Sequence, residues 1–119
     1  MQDFKKEFYF RAYNYSVRIV RFVSGFQRDP YLEVLGKQLI RSATSITANL
    51  IEAKSASSKK DYINFYTHSL KSANETKLWV CLIRDTREAY KPVAKELLRE
   101  TVEISNILAK SIITLKKKK

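Results

Sequence analysis

Between Lys5 and Phe26 the apolar residues Phe8, Ala12, Tyr15, Ile19, Phe22 and Phe26 recur in alternating steps of four and three. That spacing lays one stripe along a helix and is the signature of a bundle seam. It returns three times. Leu35, Leu39, Ala43, Ile46, Leu50 and Ala53 form the second stripe, and Tyr62, Tyr66, Ser69, Ala73, Thr76, Val80 and Ile83 the third. Leu97, Thr101, Ile104, Leu108, Ser111 and Leu115 form the fourth. The pattern predicts helices over about 5–25, 30–54, 58–86 and 92–116.

The punctuation agrees. Gly25 can take φ > 0 and close the first helix. Asp29-Pro30 reads as a cap followed by a first-turn proline. Ser55-Ala-Ser-Ser58 is a small polar linker, and Ser58-Lys-Lys-Asp61 has the form of an N-terminal capping box. Tyr90-Lys91-Pro92 opens the last helix. Four long amphipathic helices joined by short loops imply an all-α, antiparallel up-down-up-down four-helix bundle, one domain over 1–119.

The second helix carries more information than its neighbours. Opposite its apolar stripe Arg41, Ser45, Asn49 and Glu52 form a polar line, within reach of Ser72 and Glu75 on the third helix. Such a line either fixes register in the bundle or reads a ligand, and pairing of buried polar groups favours the first. Ile40, Thr44, Thr47 and Ile51 broaden the apolar arc, which suggests a second burial against another subunit. Gly36, costly inside a helix, suggests a close helix approach.

The chain is strongly basic. There are 23 Lys and Arg against 12 Asp and Glu, a net of +11. Removing the four terminal lysines, Lys116 to Lys119, leaves +7 on the remainder. An excess of this size favours an anionic partner. Arg11, Arg18 and Arg21, interleaved with Tyr9 and Tyr13, form either a stacking platform for bases or a second packed face, and the packed face is favoured. The terminal lysines suit the negative end of a helix dipole or a solvated tail.

Candidate chemistry is sparse. His68 is the only histidine and Cys81 the only cysteine, so no disulfide or cysteine metal cluster is expected and a reducing, cytoplasmic setting fits. Two glycines cannot build a phosphate loop. Glu52 and Glu75 could act as paired carboxylates but lack a metal-ligand set or second acid motif. Arg99 and Glu103 are spaced to pair at i, i+4. The charged opening residues predict no signal segment, and no apolar run is long enough to span a bilayer. We expect no catalytic residues, metal or cofactor.

The segment Gln38-Leu-Ile-Arg41-Ser-Ala-Thr-Ser45-Ile46-x-Ala-Asn49-Leu-x-Glu52-Ala53, then Ser58-x-x-Asp61-Tyr-Ile-x-Phe65 and Ser69-Leu-x-Ser72-Ala-x-Glu75, resembles the 23S rRNA intervening-sequence proteins. Ala53 stands where many members have glycine, which should let the second helix run further. The resemblance implies a homopentamer around a central channel. It also implies a relation to accessory variability proteins of diversity-generating retroelements, which bind nucleic acid and a reverse transcriptase. The expectation is a non-enzymatic, oligomeric RNA- or DNA-binding bundle, with a protein-docking scaffold as the alternative. Candidate phosphate contacts are Arg11, Arg18, Arg21, Lys37, Lys54, Lys59, Lys60 and Lys116 to Lys119. Arg41, Ser45, Asn49, Glu52, Ser72 and Glu75 are expected to be architectural or interfacial.

Overall fold

The computed structural model describes residues 2–118, with side chains from Asp3 onward; Lys119 lies outside the described residues. It contains α1 (Gln2–Ser24), α2 (Pro30–Ala53), α3 (Lys59–Thr86) and α4 (Lys91–Lys117), with a single 3-10 turn at Glu88–Tyr90 before α4. The helices form an all-α four-helix bundle of 50 × 21 × 21 Å. Cross-helix contacts define the topology. Ser16 meets Thr47 while Val23 lies against Gly36; Ser69 meets Ile46 while Thr76 meets Ser42. Tyr15 bonds Thr101 while Phe22 packs on Tyr90. In each pair residue numbers rise on one helix as they fall on the other, so neighbours are antiparallel.

The stripes bury as their spacing requires. Ala12, Ile19, Leu39, Ala43, Ile46, Leu50, Ala73, Val80, Ile83, Ile104 and Leu108 are fully buried. Two registers differ from the simple reading. On α2 the stripe begins at Leu32 and Gly36, with Leu35 only half-buried. On α4 the stripe ends on Ile112, because a straight helix at 3.6 residues per turn drifts away from a strict 3.5 repeat. Gly36 is in the seam where α1 comes so close that even a methyl group would displace Val23. A Cβ at this position would lie 2.8 Å from Val23 Cγ1.

The helix ends follow their capping chemistry, with one correction. Gly25 does not use the left-handed region: no described glycine has positive φ. Its amide reaches the Arg21 and Phe22 carbonyls, both at 3.2 Å, and the chain leaves α1 in a right-handed turn. Asp29 caps α2, accepting from the Tyr31 and Leu32 amides at 2.9 and 3.3 Å, with Pro30 in the first turn. Ser58 accepts from the Asp61 amide at 3.0 Å, and the Asp61 carboxylate accepts from Ser57 N at 3.0 Å. Past Ala53, amides of Lys54, Ser55 and Ala56 bond three residues back, so the helical sense continues briefly beyond α2.

Asp29 also clamps the far end of the bundle. Arg87 donates through Nε to Oδ2 at 2.8 Å and through Nη2 to Oδ1 at 3.3 Å, tying the α1–α2 loop to the end of α3. The Arg87 guanidinium, together with the two cap amides, holds the Asp29 carboxyl at about 2. A carboxylate whose folded-state pKa is depressed contributes stability above its unfolded value, near 3.9, and loses it as pH falls through the folded value. The melting-temperature gap between wild type and Arg87→Gln should therefore be full at about pH 5 and close towards about pH 2. A gap that stays constant over that range would refute the clamp. The pair is solvent-accessible, so the gap should also shrink in high salt.

Candidate nucleic-acid interface

Antiparallel topology gathers four chain segments at one end of the bundle: the start of α1, the end of α2, the start of α3 and the end of α4. They bring Lys5, Lys6, Lys54, Lys59, Lys60, Lys110, Lys116, Lys117 and Lys118 together, against Asp3, Glu7, Glu52 and Asp61. The Lys59 ammonium donates to the Lys118 carbonyl across the adjoining ends of α3 and α4. No lysine at this end joins an ion pair among the described residues. At the opposite end Arg84 pairs with Asp85, Arg87 with Asp29, Lys37 with Glu33 and Lys91 with Glu88, while Arg28 and Lys95 are exposed and join no ion pair among the described residues. The unpaired lysines are thus concentrated at one end of the long axis, nine of them against a single one, Lys95, at the other.

Aromatic rings lie among these lysines. Tyr9, Tyr62 and Tyr66 form a triangle of hydroxyls at 3.4, 3.2 and 3.4 Å, joining α1 to α3 across the bundle diagonal. The Tyr62 and Tyr66 rings stack with centroids 4.9 Å apart. The Lys54 ammonium sits 4.7 Å from the Tyr9 ring centroid, and the Lys5 ammonium 5.2 Å from that of Tyr62, both within cation–π range. Burial, reinforced by the bond with Tyr62, pushes the Tyr9 phenol up to about 12. Burial also raises Tyr66. At Tyr62 burial pulls upward, but bonds to Tyr66 and Tyr9 and the Lys5 ammonium outweigh it and set the phenol below its ordinary value.

Of the cations expected to meet phosphate, Lys54, Lys59, Lys60, Lys116, Lys117 and Lys118 converge here. Arg11 does not act as a free cation. Its Nε and Nη2 donate to the two Glu100 oxygens at 2.7 Å each, and Nη2 also reaches Glu103 at 2.7 Å. That corrects the expected Arg99–Glu103 pair, since the Glu103 carboxylate faces α1. Arg18 and Arg21 are exposed further along α1, and Lys37 lies towards the other end. Lys5, Lys6, Lys110 and the tyrosine triangle were not picked out by spacing alone. Applying the up-down topology to residue number would have found the first three.

The polar line on α2 has its own place, between α2 and α3. Arg41 is held by Gln38 at 3.0 and 2.8 Å and by Glu75, whose carboxylate also accepts from Trp79 Nε1 at 3.0 Å. Arg41 first, then Trp79, lowers the Glu75 carboxyl. Ser72 donates to Ser45 at 3.0 Å, and Asn49 donates to the Ser45 carbonyl at 2.8 Å. Deeper in the seam Thr76 meets Ser42 at 2.9 Å and Ser69 donates to the Ile46 carbonyl at 2.9 Å. Glu52 is exposed and stands apart from this ladder. No buried side-chain polar atom among the described residues lacks a partner.

His68 is exposed and Cys81 half-buried. Among the described residues no cluster of His, Cys, Asp and Glu could hold a metal, and no helix is long and apolar enough to cross a membrane.

No curated protein matches the chain. A crystal structure of a protein of unknown function from the S23 ribosomal protein family, from Bacteroides thetaiotaomicron VPI-5482, is similar in fold and sequence. It superposes with a TM-score of 0.83 at 31% identity, covering 91% of this chain and 96% of that one. Neither this neighbour nor the matching family is described by an enzymatic activity. The model of the 23S rRNA-intervening sequence protein family matches residues 5–110, and the chain belongs to that family.

Proposed function

We propose that this bundle is a non-enzymatic, nucleic-acid-binding protein that works in the cytoplasm and engages RNA or DNA through its lysine-rich end. The observation that carries this reading is the polarised set of unpaired lysines. A lysine engaged by a carboxylate has a counter-charge already, whereas an unpaired one releases condensed counterions when it meets a phosphate. Nothing in the lysine set aims a bidentate donor at a base edge, so binding is to backbone and is tolerant of sequence.

The assembly is proposed to be a homo-oligomer, five chains by resemblance to relatives. Phe10, Tyr13 and Val20 on α1 and Ile51 on α2 are exposed at 65%, 55%, 41% and 55%, on the side where these helices adjoin. A strip of this kind is what a subunit contact covers. Docking of a protein such as a reverse transcriptase is the competing use of the same surface.

Two measurements test the reading. Light scattering at micromolar concentration should give the mass of several chains, and a monomer removes the assembly. Mixed-sequence single-stranded RNA should bind with a log–log salt slope of roughly −0.7 per phosphate contacted. Binding that is absent at low salt, or insensitive to salt, removes the function.

A further inference from the structure

Two clefts meet at Tyr62, and their linings differ. The first, about 640 Å³, is walled by Lys5, Lys6, Lys54, Tyr9 and Tyr62, with Asp3 as its single carboxylate. The second, about 470 Å³, runs between α1, α3 and α4 and is largely apolar, with Phe4, Phe8, Ile107 and Leu115 among its walls. Lys5 and Tyr62 line both, so they form the partition. Each volume lies within the range of small-ligand pockets.

We infer that this double cleft is a nucleoside-phosphate site, taking the phosphate among Lys5, Lys6 and Lys54 and the base in the apolar half beside Phe4, Phe8 and Tyr62. Three observations carry the assignment. The ammonium groups of Lys5 and Lys54 are positioned over tyrosine rings and neither joins an ion pair among the described residues, so both are available to an anion. The tyrosine hydroxyls are spaced at 3.2–3.4 Å, longer than the 2.7–2.8 Å typical of O–H···O bonds. Tyr9 and Tyr62 are thus weakly engaged donors at the wall of a basic cleft, and a phosphate oxygen is a stronger acceptor than another phenol. Finally, Phe4 is 57% exposed at the mouth of the apolar half, an aromatic face open to a stacked base. Charge complementarity and an aromatic face side by side match a nucleotide better than either half matches a simple anion or an apolar ligand.

This inference refines the nucleic-acid reading above and rests on it for biological meaning. The same chemistry is offered by a free nucleotide and by the phosphorylated end of a single strand. The test titrates AMP, adenosine and inorganic phosphate into the full-length protein, following the ring resonances of Tyr9 and Tyr62 by NMR. A 5′-phosphorylated and a 5′-hydroxyl form of one single-stranded 12-nucleotide RNA are compared in parallel.

AMP should shift both rings saturably, with adenosine and phosphate each at least about tenfold weaker, since each fills only one half of the site. Lys5→Met with Lys54→Met should weaken AMP about tenfold or more while melting as wild type does, both residues being at the surface. A strand preferred in its phosphorylated form identifies the strand end as ligand, and no preference with AMP saturating identifies the free nucleotide. Rings unmoved by AMP, or phosphate as effective as AMP, overturn the assignment. If AMP fails while RNA binds, this site falls and the nucleic-acid reading stands; if AMP binds and RNA does not at low salt, the converse holds.

Discussion

Lys54→Gln, Lys59→Gln, Lys117→Gln and Lys118→Gln combined should lower affinity for single-stranded RNA by roughly 10²–10³-fold at about 0.1 M salt. Each phosphate contact adds about 0.7 to the log–log salt slope, so at that concentration each lost contact removes about fivefold. The slope itself should flatten by roughly 3 if all four lysines contact phosphate. The comparison that gives the result meaning is Lys37→Gln, Lys71→Gln, Lys77→Gln and Lys95→Gln combined, which removes the same charge away from the lysine-rich end. That protein should lose only a few-fold through long-range attraction, because screening limits charges more than about 10 Å from the strand. Equal losses in the two proteins would mean that net charge alone drives binding, and the end-on interface would fall. All eight residues are largely at the surface, so both proteins should melt close to wild type.

The helical stripes were readable because a bundle imposes a single period on every helix. Alternating steps of four and three place Ala12, Ile46, Val80 and Leu108 in the core, where all four are buried, and short loops imply antiparallel neighbours. Gly36 is legible in part: its cost inside a helix points to the close approach that the structure has, but not to the partner. By propensity it breaks a helix, yet it occupies the α2 seam because Val23 comes so close. The distance that justifies it belongs to another helix. Arg11 shows the same limit from the electrostatic side. Its aromatic and basic neighbours along α1 suggest an exposed cation, while the carboxylates that neutralise it stand 89 and 92 positions later, at Glu100 and Glu103. Spacing describes a face of one helix; it does not say which charges on the next helix meet that face. The tyrosine triangle lies further still from local pattern, since Tyr9 and Tyr62 come from diagonal helices and converge only at the bundle end.

Ser69→Leu should be the most damaging single change in the α2–α3 seam, destabilising the bundle by about 2–4 kcal/mol. Ser69 is fully buried, and its hydroxyl donates to a main-chain carbonyl of α2, that of Ile46, at 2.9 Å. A side chain that short touching the backbone of its neighbour means that the two helices are held close along this stretch, as the buried Ser42, Ala43 and Ala73 also indicate. Leucine would drive its branched carbons into α2 itself, where no rotamer change on a flexible partner can make room. Overpacking of this kind costs about 1–3 kcal/mol, and the lost buried hydrogen bond adds about 1. Ser69→Ala loses only the latter, which separates the two causes. For a chain of this length the leucine variant should melt about 10 °C lower, and the alanine variant by only a few degrees. The comparison is made by circular dichroism at one protein concentration, because self-association would otherwise shift the midpoint by mass action. Leu78→Ser on the outer face of α3, 52% exposed, is the matched control. A leucine variant that melts within about 2 °C of wild type would show that the helices can part without cost. The polar ladder from Arg41 to Glu75 would then not depend on their close approach.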